Sequence, residues 1–79
     1  MLRLQSVRGI FNDAKVVKDL GTFQSLDAIY QYANILFNSP AYVREIGSLE
    51  HGEIFLDYGS HIYFLRVTAA DKIVEQEKN

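Results

Sequence analysis

The chain has 79 residues, no cysteine and a formal net charge of −2, and these properties limit what it can be. Its length allows one hydrophobic core, so we expect a single domain over residues 1–79. The absence of cysteine excludes disulfides, thiolate zinc sites and a cysteine nucleophile, and it favours a reducing cytoplasm. The first residues have no signal-peptide pattern and no segment reaches a membrane-spanning length, so we expect no membrane partner.

The first strand pair is predicted over residues 2–20, with its turn at residues 12–15, because Asn and Asp favour turn geometry. In this register Arg8 lies opposite Asp19. Four basic residues fall in this segment: Arg3, Arg8, Lys15 and Lys18. Since the rest of the chain is net acidic, this hairpin is the candidate surface for an anion.

The central helix is predicted from about residue 26 to residue 37. Ser25 is a good N-cap, and Asp27 places an anion in the first turn, where the helix dipole favours it. The helix ends before Pro40, which lacks a backbone donor. Residues 40–50 then fit either a strand or a short helix, and we favour the strand.

A second hairpin is predicted over residues 53–67, around a two-residue turn at Gly59 and Ser60. Alternation places one set of side chains on the core face: Ile54, Leu56, Tyr58, Tyr63, Leu65 and Val67. The fold class is therefore α+β, with an antiparallel sheet of two hairpins, four to five strands in all, packed on one central helix. The order is ββαβββ or ββαββ, and the tail after residue 67 either forms a short terminal helix or frays.

Catalytic and metal-binding chemistry is not indicated. The alternation places His51, Glu53 and Asp57 on one face of the hairpin and His61 on the other, so they do not converge. Ser25 and Ser60 are interpreted as a cap and a turn residue, and no glycine-rich nucleotide motif is present. We therefore expect a protein that is not an enzyme, with no catalytic residues, no metal and no cofactor.

The helix carries one narrow polar stripe, formed by Asp27, Gln31, Asn34 and Asn38. These residues fall within about 60° of arc at about 100° per residue, so the apolar arc is about twice as wide as one sheet requires. Either the chain wraps around the helix or part of its apolar surface binds another chain. Phe55 and Phe64, together with Ile62, lie on the hairpin face away from the core, which indicates an exposed aromatic cluster unless a strand or the tail covers it.

Residues 20–33, LGTFQSLDAIYQYA, are similar to the strand-to-helix entry of the plant ethylene-response-factor type of DNA-binding domain. That resemblance covers less than a fifth of the chain and implies DNA contacts from basic residues of the sheet, here Arg8, Lys15 and Lys18. The size, the lack of cysteine and the order of hairpin, helix and hairpin also resemble small phage-encoded inhibitors of bacterial defence, anti-CRISPR proteins among them.

The sequence thus predicts a small protein-binding module. One such module would be an inhibitor that a phage or mobile element encodes and that acts on a host defence protein. The residues predicted to bind the partner protein are Tyr30, Tyr32, Phe37, Phe55 and Phe64. The alternative is a nucleic-acid-binding module that uses Arg3, Arg8, Lys15 and Lys18. A homodimer is favoured as well, because two such helices would cover each other's apolar surface.

Overall fold

The computed structural model describes residues 1–37 and 43–70. These residues form one five-stranded antiparallel sheet and one α-helix, which confirms the α+β class and the ββαβββ order. The elements are β1 (Leu2–Arg8), β2 (Lys15–Phe23), α1 (Leu26–Leu36), β3 (Arg44–Ser48), β4 (Glu53–Asp57) and β5 (Tyr63–Ala69). In the sheet they follow the order β2-β1-β5-β4-β3, so β5 joins the two predicted hairpins by pairing with β1.

The helix begins and ends close to the predicted residues. Ser25 is the N-cap, and its hydroxyl accepts a hydrogen bond from the backbone N–H of Ala28 at 3.1 Å. This bond satisfies one of the amides that the first helical turn leaves unpaired. In the ambiguous segment 40–50, residues 44–48 form a strand, which is the alternative we favoured. Residues 40–42 of that segment and the tail from residue 71 lie outside the described residues.

The main core lies between α1 and one face of the sheet. The fully buried helix residues are Ile29 and Ala33, which pack against side chains of β1, β4 and β5. Those sheet residues are Leu4, Ile54, Leu56, Leu65 and Val67. Among the described residues no helix has both the length and the apolar character that crossing a bilayer needs.

The opposite face of the sheet has a smaller apolar cluster of its own. Val7, Phe55 and Phe64 are buried there, with Ile10, Ala14 and Ile46 packed against them. The connection between β1 and β2 folds over this face as a 3₁₀ turn at Phe11–Asp13, and the Phe11 ring meets Phe55 edge to face at 5.3 Å. Gly9 starts this turn with a positive φ, and a Cβ there would lie 2.8 Å from the carbonyl oxygen of Asp13.

Both hairpin registers differ from the predicted ones. In the first, Arg8 lies opposite Lys15 rather than Asp19, because the turn begins at Gly9 and two irregularities interrupt the β1–β2 ladder. In the second, Leu56 pairs with Leu65, two residues away from the predicted register, because the connection is a five-residue loop over residues 58–62. A shift of two keeps each strand's side chains on their predicted faces.

Candidate functional site

The last turn of α1 exposes three consecutive apolar side chains. Ile35 is 82% exposed, Leu36 49% and Phe37 44%. We call these three residues the helix-end surface. Phe37, at the C-cap, stacks on the ring of Tyr58 with 4.7 Å between ring centroids and 25° between the planes. The described part of the chain therefore leaves this section of the apolar arc in solvent, which is one of the two alternatives that the narrow polar stripe left open.

A cavity of about 300 Å³ opens beside Phe37 on the same side of the sheet. Its lining is mostly aromatic and aliphatic: Ser6, Phe37, Leu56, Tyr58, Ser60, Tyr63, Phe64 and Leu65. Among the described residues the buried Tyr58 hydroxyl has no hydrogen-bond partner. Burial also raises the pKa of this hydroxyl above its ordinary value, so Tyr58 stays neutral at physiological pH.

Tyr30 and Tyr32 are half-buried and make contacts within the chain. The Tyr30 hydroxyl donates a hydrogen bond to the Glu45 carboxylate of β3. Burial and this carboxylate both raise the pKa of Tyr30. Tyr32 packs on Phe23 of β2, with ring centroids 5.2 Å apart. Both rings help to hold α1 on the sheet, and their role in partner binding stays a prediction.

The predicted exposure of Phe55 and Phe64 is wrong. Phe55 is 0% exposed and Phe64 7%, because the 3₁₀ turn and Ile46 of β3 cover the second face of the sheet. Of the proposed aromatic cluster only Ile62 is exposed. The two phenylalanines therefore form a second core and are not accessible to a partner in this conformation.

The four basic residues of the first hairpin do not form one surface. Arg3 donates to the Asp19 carboxylate at 2.8 Å, so its charge is already paired. Lys18 lies opposite Ser6, which shares the helix side of β1 with Leu4, whereas Arg3 alternates to the other side. Arg8 and Lys15 lie opposite each other at the far end of the hairpin, where they line a second cavity together with Arg44.

The acidic and histidine residues of the second hairpin are arranged differently from the prediction. His61 approaches Asp57, with 2.7 Å between Nδ1 and Oδ2, although alternation predicted opposite faces. The five-residue loop causes this, because His61 adopts a positive φ there and leaves the strand pattern. Within residues 1–37 and 43–70 no group of three His, Asp or Glu side chains is placed to hold a metal ion.

Asp57 is fully buried at the base of this loop. Its carboxylate accepts hydrogen bonds from the backbone N–H groups of Gly59 at 2.9 Å and His61 at 3.2 Å. Burial alone would raise the pKa of Asp57, but these bonds and the contact with His61 lower it below its ordinary value. The arrangement holds the loop in place.

Sequence reasoning missed Ile35, Leu36 and Arg44 as site residues. The narrow polar stripe contains a signal for Ile35 and Leu36, because both residues lie outside it on the same helix. No local pattern connects Arg44 with Arg8, since 36 positions separate them. The chain matches no protein-family model, no curated protein and no solved structure.

Proposed function

We propose that this chain is a small non-enzymatic module that binds another protein through the helix-end surface. The observation that carries the proposal is the exposure of Ile35, Leu36 and Phe37 in succession on the last turn of α1. Clusters of exposed apolar side chains are typical of protein contact sites, whereas single ones are common everywhere on a protein surface. Because successive helical residues point about 100° apart, these three side chains surround the end of α1, and a partner would have to enclose it.

The surroundings of Phe37 support this choice. Its ring rests on Tyr58 at the mouth of the 300 Å³ cavity, so an aromatic platform and a recess lie side by side. Binding energy at protein interfaces is concentrated in a few aromatic or large side chains that become fully desolvated. A partner that fills the recess with an apolar side chain would bury Phe37, which lines it.

Charge substitutions on α1 test the proposal. Ile35 is almost fully exposed, so the double variant Ile35→Lys/Leu36→Lys removes apolar surface while leaving the buried Ile29 and Ala33 in place. We expect the tagged double variant to lose the protein that the wild type retains from its native host. Gln31→Lys, on the exposed polar stripe of the same helix, is the matched control and should retain it. Equal retention by the double variant and the wild type would contradict the proposal.

Self-association through the same surface is a second part of the proposal. Sedimentation velocity at high concentration should show a dimer for the wild type and for Gln31→Lys, and a monomer for Ile35→Lys/Leu36→Lys. A wild-type chain that stays monomeric would contradict the homodimer. Binding to a different protein would then be the part of the proposal still to be tested.

Nucleic-acid binding is the second candidate, and the adjacency of Arg8 and Lys15 favours it. Binding to phosphates weakens steeply with added salt because counterions are released, whereas binding through apolar side chains responds little. The salt dependence of the captured complex therefore distinguishes nucleic-acid binding from protein binding.

For either candidate we propose a reducing cytoplasm, since the chain has no cysteine. Inhibition of a host defence protein remains a proposal that rests on size and element order.

A further inference from the structure

A second cavity, of about 580 Å³, lies at the end of the sheet where the turn after β1 meets the loop between β4 and β5. The backbone N–H of Gly9 donates to the carbonyl of Ile62 at 2.9 Å and ties these two connections together. Ile46 and Phe64 contribute apolar walls. The cavity is therefore bounded by segments that are distant in the sequence but fixed to one another.

Three cations line this cavity. Arg8 ends β1, Lys15 begins β2 and Arg44 begins β3, so each is placed by a strand terminus. Of the described residues that line the cavity, Asp13 is the one with a carboxylate. Arg44 also lies 3.9 Å from the buried Asp57, whose oxygens accept from Gly59 and His61. Counting Asp57 as well as Asp13 against the three cations still leaves an excess positive charge.

The position of Arg8 opposite Lys15 lowers the stability of the fold when no ligand is bound. The two residues lie directly opposite each other in the β1–β2 ladder, and like charges in that position destabilise a sheet. The Arg8 guanidinium lies 6.0 Å from the centroid of the Tyr63 ring, which restricts its position without neutralising it. An anion held beside Arg8 and Lys15 would relieve the repulsion.

We propose that this cavity binds a small organic anion, a phosphate or carboxylate carried on an apolar body. The cations would hold the charged group, and Ile46 and the exposed Ile62 would contact the apolar part. The volume falls within the range of small-molecule sites, which combine mostly apolar walls with a few placed polar groups. This site is separate from the helix-end surface and does not depend on it.

The test uses phenyl phosphate as the probe and phenol as its uncharged analogue, titrated into ¹⁵N-labelled protein. Phenyl phosphate should shift the amide signals of Gly9, Ile46 and Ile62 saturably, whereas phenol should not. Benzoate assigns the anion class, because tighter binding of phenyl phosphate than benzoate indicates a phosphate site and the reverse a carboxylate site. Absence of saturable shifts with both anions, or equal binding of phenol, would overturn the proposal.

Matched variants separate this site from general charge attraction. Lys15→Gln and Arg44→Gln should each weaken phenyl phosphate binding about tenfold, the effect of losing one charge-assisted hydrogen bond. Lys18→Gln removes the same charge from β2 outside the cavity and should leave the affinity unchanged. Lys15→Gln should also keep a Tm at or above that of the wild type, because it removes a repulsion. Equal weakening by Lys18→Gln would refute the assignment.

Discussion

Asp57 is the residue on which the β4–β5 loop depends. Its side chain is fully buried and accepts hydrogen bonds from two backbone amides and contacts the His61 ring. Asp57→Ala would leave these donors without their partner and should lower the free energy of unfolding by about 2 kcal/mol, as expected for bonds to a charged acceptor. Glu50→Ala, at an exposed site, is the control, and urea denaturation measures both.

The same carboxylate predicts a pH dependence with a definite sign. The folded-state pKa of Asp57 lies below its ordinary value of 3.8, so the unfolded state takes up the proton first as the pH falls. Its stabilising contribution is therefore complete above pH 3.8 and is lost as the pH drops through the lower folded-state pKa. Asp57→Asn should flatten the acid limb of the stability curve. An unchanged limb would mean that other carboxylates account for it.

At the scale of elements, the 3₁₀ turn between β1 and β2 acts as a cover for the second face of the sheet. Phe55→Ala removes a fully buried ring and should cost about 3 to 5 kcal/mol. That is comparable to the whole stability expected from a core of this size, so we expect Phe55→Ala to be largely unfolded. Phe11→Ala, which trims the half-exposed ring on the turn, should cost much less.

Thermal unfolding followed by near-ultraviolet circular dichroism measures both phenylalanine variants. A Phe55→Ala protein with wild-type Tm would mean that the second face is not a core. Phe55 would then again be a candidate residue for binding a partner protein. A Phe11→Ala protein as unstable as Phe55→Ala would show instead that the turn itself carries most of the stability of this face.

Local signals predicted the elements of this fold but not how they meet. Ser25 placed the start of α1 because a cap is a contact between neighbours in sequence. The predicted register of the second hairpin was wrong. Gly59 and Ser60 alone indicate a two-residue turn, but the Asp57 side chain accepts hydrogen bonds from the backbone of a longer loop and stabilises it. The burial of Phe55 depends on Phe11, 44 positions away, and alternation within one hairpin contains no information about such a contact.

Of the two candidate sites, the helix-end surface could be predicted from local sequence and the basic cavity could not. The helix-end surface follows from the spacing of polar residues along α1, which is a property of one helix. The basic cavity requires β1, β2 and β3 to be brought to one end of the sheet, and β5 separates β1 from β4 in the strand order. Only the assembled sheet therefore reveals that Arg44 belongs with Arg8 and Lys15.

For the molecule as a whole, β2 is an edge strand of the sheet that the described residues form, and edge strands can pair with another copy of the chain. This strand has nine residues, and it exposes Val16 and Val17 in its first half. Lys15 and Lys18 flank these two valines, and charged side chains on an edge strand oppose pairing with another edge. The double variant Lys15→Thr/Lys18→Thr removes both charges and introduces a residue that favours strands, so it should aggregate faster than the wild type.

Net charge makes this prediction a stringent one. Loss of two lysines moves the formal charge from −2 to −4, which by itself opposes association. Faster aggregation, followed by light scattering or thioflavin fluorescence, would therefore have to come from the exposed edge. Adding Val17→Thr to the double variant should slow aggregation again because it removes apolar surface from the same edge. If the double variant stays as dispersed as the wild type, the lysines do not protect β2 and the twist of the interrupted β1–β2 ladder suffices.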